Sequence, residues 1–124
     1  MITGIDIVFL HVKDSAKMIE WYKEKLGLDI SFVSEDGSWT EFRFPENRSA
    51  TRFAIEYIKD NSSEVEKQSI MVSFRVDDIS KCIANLESKK IEFYGTPIIR
   101  EEGSSLFATI KDPEGNWIQI SQRK

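Results

Sequence analysis

Histidine and cysteine are nearly absent from this chain: its 124 residues hold one of each, His11 and Cys82. A lone thiol closes no internal disulfide, which accords with a reducing, cytoplasmic setting. One imidazole and one thiol also fall short of the four ligands of a Cys/His zinc site. No apolar run approaches the ~20 residues that a bilayer helix needs. The opening MITGIDIVFLHVKD lacks the basic segment and small-residue cleavage site of a secretory signal. Positive charge is not in excess either, since 17 Lys and Arg against 21 Asp and Glu leave a net charge of −4. A nucleic-acid binder needs a basic face to displace counterions, and here the basic residues are scattered. Neither nucleic acid nor membrane is therefore an expected partner.

What is present reads as ordinary globular composition, with 40 % apolar and 31 % charged residues. A chain of this length makes one domain, or two small modules sharing a core, and buries roughly two-thirds of its unfolded surface. Residues 5–12 (IDIVFLHV) predict a strand apolar on both faces and therefore central rather than at an edge. Asp14 or Ser15 then caps a helix carrying Met18, Ile19, Tyr22 and Leu26, and Gly27 ends it. Trp21 and Tyr22 stand side by side on this helix, which cannot bury both on one stripe. Strands follow near 29–34, 39–44 and 52–58, separated by Asp36-Gly37 and Pro45-Glu46-Asn47. The polar stretch from Lys59 to Ser69 reads as a linker.

The order then repeats. Residues 70–76 alternate as a strand, and Asp78 caps a second helix with Ile79, Ile83 and Leu86, ending near Lys89 and Lys90. Cys82, beside Ile83, packs as a small hydrophobe on this reading. Strands are predicted near 91–94, 97–102, 105–110 and 116–121. The last two are joined by Asp112-Pro113-Glu114-Gly115, which has the residue preferences of a type I turn. A shift of 64 residues places Val12 on Val76, Asp14 on Asp78, Lys17 on Lys81, Ile19 on Ile83 and Lys25 on Lys89. These identities fall on the strand-to-helix junction, which argues for an internal duplication. The expected fold is α+β: two βαβββ modules in tandem, about 1–60 and 69–124 of a single domain 1–124. Curved mixed sheets would surround a cavity, with helices on the outer face.

The segment HVKDSAKMIEWYKEKLGL (11–28) resembles the opening "V-x-D … F/W-Y … L-G-L" of the vicinal oxygen chelate superfamily. KDPEGNWIQI (111–120) resembles its closing "D-P-x-G-N-x-I/L-E/Q-I/L". That superfamily includes glyoxalase I, bleomycin- and fosfomycin-resistance proteins and extradiol dioxygenases. The resemblance implies the paired-module fold over the whole chain and a homodimer. It also places the family's four metal-ligand positions on Ile7, Glu56, Met71 and Gln119. An aliphatic side chain cannot coordinate a hard cation and a thioether does so poorly. The expectation is therefore a degenerate metal site, with no metal or other cofactor.

If Ile7 and Met71 point inward, strand alternation turns Phe9, His11, Ser73 and Arg75 the same way. Glu56 brings Arg52, Ala54 and Ile58, while Gln119 brings Trp117 and Ser121. Trp39, Glu41 and Arg43 follow by parity with Phe42 and Phe44. This mixture suits a small polar-aromatic ligand bound by Phe9, Trp39, Glu56, Arg75, Phe107, Trp117 and Gln119. Alternatively, the charged residues pair with one another at a wet sheet surface. Two functions follow. One is sequestration of a small molecule, as in the bleomycin-resistance branch. The other is a glyoxalase-like lyase or isomerase, or a dioxygenase, metal-dependent or cofactor-free. Its candidate proton-transfer groups are Glu56 and His11.

Overall fold

The computed structural model describes residues 1, 5–45, 51–58 and 70–124. Their contacts divide the chain into two compact units, Met1–Asn61 and Ser62–Lys124. Each unit is one four-stranded mixed sheet with one helix.

In the first unit the elements are β1 (Ile7–Val12), α1 (Ser15–Glu24), β2 (Asp29–Val33), β3 (Trp39–Arg43) and β4 (Arg52–Tyr57). The sheet order is β1-β4-β3-β2, so the first strand lies parallel to the last at an edge, not in the centre as its two apolar faces predict, while β2 and β3 run antiparallel to their neighbours. Asp14 starts α1 by accepting the backbone N–H of Lys17 at 3.1 Å, which satisfies a donor that the helix leaves unpaired. The helix buries Met18 and Tyr22 completely. The Tyr22 ring lies 5.3 Å from Phe53 and 6.1 Å from Phe42, whose own rings stack 5.8 Å apart. Only Tyr22 of the adjacent aromatic pair is fully buried; Trp21 stays at the margin, edge-on to it at 4.9 Å. Gly27, at φ +73°, turns the chain out of the helix.

The second unit repeats this plan with β5 (Val72–Arg75), α2 (Ile79–Ser88), β6 (Arg100–Glu102), β7 (Ser105–Lys111) and β8 (Trp117–Arg123). Its sheet order is β5-β8-β7-β6, with β5 parallel to β8. Asp78 caps α2 through the N–H of Lys81, and Ile79, Ile83 and Leu86 supply the buried stripe. The Ile79 N–H donates to Gln122 Oε1 at 2.8 Å, fixing the helix start to β8. Cys82 is half-buried, and burial pushes its thiol up from the ordinary value, so it stays protonated and packs as a neutral group.

Two loops carry most of the local design. At the end of α2, Lys90 adopts φ +63°. Its N–H returns to Glu87 O at 2.9 Å and that of Ile91 to Leu86 O at 3.1 Å, the double bond of a Schellman cap. Between β7 and β8, Asp112 is 4 % exposed, and its carboxylate accepts the N–H groups of Glu114 and Asn116 and the Asn116 side-chain amide. The Asp-Pro-Glu-Gly-Asn sequence is thus a turn scaffold whose acid is spent on the backbone.

The predicted strand at 91–94 does not form. The Ile91 N–H is used by the helix cap, and only Tyr94 reaches the sheet, as an isolated bridge to Thr109. The strand expected from residue 97 begins at Arg100, because Pro97 has no N–H to give a ladder. The linker at 59–69, with Glu46 and Asn47, lies outside the described residues.

Because Lys pays a steric cost at positive φ that Gly avoids, Lys90→Gly should stabilise the protein by ~0.5–1 kcal/mol. Thermal melting would read this as a rise in Tm. Asp112→Ala should cost ~1–3 kcal/mol by leaving buried donors unsatisfied, measured by urea unfolding.

Candidate functional site

One face of each sheet packs against its helix; the chemistry lies on the opposite, far face. In the first unit, paired residues place three cross-strand rows there. The row His11–Glu56–Trp39 comes from registers His11↔Glu56 and Trp39↔Glu56. The next row is Phe9–Ala54–Glu41, and beyond it Ile7 pairs with Arg52.

The side chains on these rows are connected. Trp39 lies 5.0 Å from Phe9, ring to ring, and its Nε1–H donates to Glu41 Oε2 at 2.9 Å. Arg52 donates through Nη1 to the other Glu41 oxygen at 2.9 Å and through Nη2 to Asp6 at 2.8 Å. Asp6 first and Glu41 second raise the Arg52 guanidinium above its ordinary value. His11 Nε2 approaches Glu56 Oε1 to 3.1 Å, and the His11 ring tilts against Phe9 at 5.6 Å. Both partners of that pair are more than a third exposed, so its contribution to stability is at most ~1 kcal/mol. Phe9 itself is 43 % exposed, although its neighbour Ala54 is fully covered.

Trp39 is positioned by the loop preceding it. Its N–H donates to Ser34 Oγ at 3.0 Å, and Ser34 Oγ donates onward to Asp36 at 2.8 Å. Asp36 also receives the backbone N–H and hydroxyl of Ser38. These bonds, led by the Ser38 N–H, lower its carboxyl from 3.8 to about 2.

In the second unit the far-face rows are Arg75–Ser121–Phe107–Arg100, Ser73–Gln119–Thr109 and Trp117–Lys111. Ser73 Oγ donates to Ser121 Oγ at 2.9 Å. Arg100 lies over the Phe107 ring, 4.9 Å from its centroid, and donates to Thr109 Oγ1 at 2.6 Å. Lys111 Nζ stands 4.0 Å from the Trp117 centroid and 5.4 Å from that of Tyr94, and these two rings meet edge-on at 4.9 Å. Gly95 faces this group: at φ +104°, a Cβ there would collide with the Arg100 guanidinium.

Of the residues singled out from sequence, Phe9, Trp39 and Glu56 share the far face of the first sheet. Arg75, Phe107, Trp117 and Gln119 share that of the second. The Glu41–Arg52–Asp6 chain fits the alternative of mutual charge pairing, whereas Arg75 has no ion pair among the described residues. Sequence reasoning missed Arg100, Thr109, Lys111 and Tyr94. Strand parity carried through β7 would have found Thr109 and Lys111, because they alternate with Phe107.

Residues 4–120 match the family model of the Glyoxalase/Bleomycin resistance protein/Dioxygenase superfamily. The chain belongs to that superfamily. The uncharacterized protein YraH of Bacillus subtilis (strain 168) is 32 % identical over 117 residues, spanning 90 % of this chain and 91 % of YraH. The integron cassette protein HFX_CASS4, from the mobile metagenome of the Halifax Harbour sewage outfall, shares the fold at a TM-score of 0.76. It is 25 % identical, with 98 % of this chain and 99 % of that one covered. TnmS3, an antibiotic binding protein from Streptomyces sp. CB03234, aligns at a TM-score of 0.77 and 21 % identity, covering 99 % and 98 %.

The superfamily's metal positions can be placed on these registers. Ile7 pairs with Arg52, four residues before Glu56, a separation of ~13 Å along a strand. Val72 pairs with Ile118 and Ser73 with Gln119, so Met71 precedes β5 and Gln119 lies beyond it. The 64-residue shift that maps Phe9 onto Ser73 makes Ala54, not Glu56, the first-unit counterpart of Gln119. Among the described residues no three His, Cys, Asp or Glu side chains come together.

Asp36, with its lowered carboxyl, should stabilise the native state fully above 3.8 and progressively less as pH falls towards 2. Asp36→Asn is expected to lower Tm at neutral pH, with the gap to wild type closing across that acid window.

Proposed function

We propose that this protein binds small polar-aromatic molecules on the far face of a sheet, sequestering them without transforming them, as a cytoplasmic homodimer. The observation that carries this reading is the contact of exposed Phe9 with half-buried Trp39, held beside the Glu41–Arg52 network on a face that the helix leaves free. Flat rings next to fixed polar groups are what a ligand surface of this chemistry requires. Trp117 and Phe107, each beside a cation, extend the same character to the second sheet. The fold shared with an antibiotic binding protein, TnmS3, points the same way.

The family's metal is not part of this function. Ile7 offers no donor atom, Met71 offers a soft thioether, and Glu56 lies opposite His11 rather than beside Ile7. We accordingly derive no step through a metal. The second reading is catalysis of the lyase, isomerase or dioxygenase type. It is favoured by one observation, the 3.1 Å contact between the His11 imidazole and the Glu56 carboxylate on the far face, which sets two proton-transfer groups side by side.

A thermal-shift screen of aromatic molecules supplies the test, followed by calorimetry on the best ligand. Trp39→Ala or Trp117→Ala should weaken its affinity roughly tenfold, about 1.4 kcal/mol. Unchanged affinity in both variants removes the aromatic faces from the site. Elemental analysis after dialysis against Ni, Mn, Zn and Fe(II) should find far less than stoichiometric metal. A stoichiometric metal, or conversion of the bound molecule that is lost in Glu56→Gln, moves the assignment to the second reading.

A further inference from the structure

The two far faces differ in charge, and the difference has no origin in overall composition. In the first unit the far-face cation Arg52 is neutralised by Asp6 and Glu41, and His11 contacts Glu56. In the second, Arg75, Arg100 and Lys111 form no ion pair with any carboxylate among the described residues. Their neighbours on the face are hydroxyls (Ser73, Thr109, Ser121), an amide (Gln119) and rings (Phe107, Trp117). Arg123 joins them by strand parity on β8, so a chain of net charge −4 places four cations on this face, against one acidic register position, Glu102, in the Arg123–Ser105 row at its edge.

Arg100 is the most constrained of them. Its guanidinium is clamped between the Phe107 ring, the Thr109 hydroxyl and Gly95. Its Nε is enclosed by the protein and has no hydrogen-bond partner among the described residues, so the donors left to a ligand are on the Nη atoms. A guanidinium presents its donors as a planar fork that matches a carboxylate. The clamp fixes that fork in advance, which lowers the ordering cost of binding.

We propose that the far face of the second sheet recognises a small organic anion, a planar ring bearing a carboxylate. Arg100 holds the carboxylate beside Thr109 and Gln119, Arg75 adds charge from the other end of the same cross-strand row, and Phe107 and Trp117 contact the ring. This deepens the reading of the sheet faces as ligand surfaces, on which it rests.

Three probes share one ring and differ in charge: benzoate, benzamide and benzamidine. Titrated into the full chain and followed by amide chemical shifts, benzoate should give saturable changes at Phe107, Thr109 and Gln119. The neutral and cationic probes should bind at least tenfold more weakly, and added KCl should weaken benzoate. Arg100→Gln should reduce benzoate affinity tenfold or more. Arg75→Gln, at an exposed position that leaves the core intact, should reduce it several-fold. Benzoate binding no tighter than benzamide, or indifferent to both variants, overturns the proposal. If benzamide or benzamidine instead titrates the Phe9 and Trp39 resonances, the sheet-face reading survives and the anionic assignment fails. If no probe perturbs either face, both fail.

Discussion

A helix of ten residues is ~15 Å long and a four-stranded sheet is about as wide, so one such helix dries one sheet face and no more. Among the described residues each unit has that one helix. α1 spends Met18 and Tyr22 on the Phe42–Phe53 side of its sheet, and α2 spends Ile79, Ile83 and Leu86 on its own. Everything chemical follows from the uncovered side. Residues there are free of the core's demand for apolar side chains, yet the pleat still fixes their spacing. That combination, polar freedom on a rigid grid, is what lets a sheet serve as a recognition surface.

The two grids make the same plan carry different chemistry. The row His11–Glu56–Trp39 of the first sheet occupies the places of Arg75–Ser121–Phe107 in the second, and Phe9–Ala54–Glu41 those of Ser73–Gln119–Thr109. An aromatic ring is kept at one position, as Trp39 or Phe107. Around it the carboxylates Glu56 and Glu41 of one copy become the hydroxyls Ser121 and Thr109 in the other, and Ala54 becomes the amide Gln119, leaving Arg75 and Arg100 of the second copy without acidic partners among the described residues.

Much of this was legible from local signals. Asp14 and Asp78 announced the helix starts, Gly27 the first helix end, and strict alternation separated Phe9 and His11 from Val8 and Val12. What escaped depended on distant pairing. Nothing local says that Arg52 meets Asp6 and Glu41, because those contacts follow from the registers of β4 with β1 and β3. Arg100 was hidden because its strand has three residues and follows an irregular stretch after α2. The match of Glu56 with a ligand position came from the look of a motif, whereas the pairing partner of Phe9 gives that place to Ala54.

The parallel pairing of first and last strands has a consequence for how the molecule is made. In each unit the edge strand, β1 or β5, finds its partner about 45 residues downstream. Such distant pairing is slow to search for and holds apolar surface open meanwhile. During synthesis, the Val12 side of β1 must wait for β4 to emerge, while α1 and the β2–β3 hairpin form from neighbouring residues. The first unit, however, needs nothing from the second to complete its ladder. Each ladder therefore closes within its own unit, and the duplication keeps every strand's partner within about half the chain.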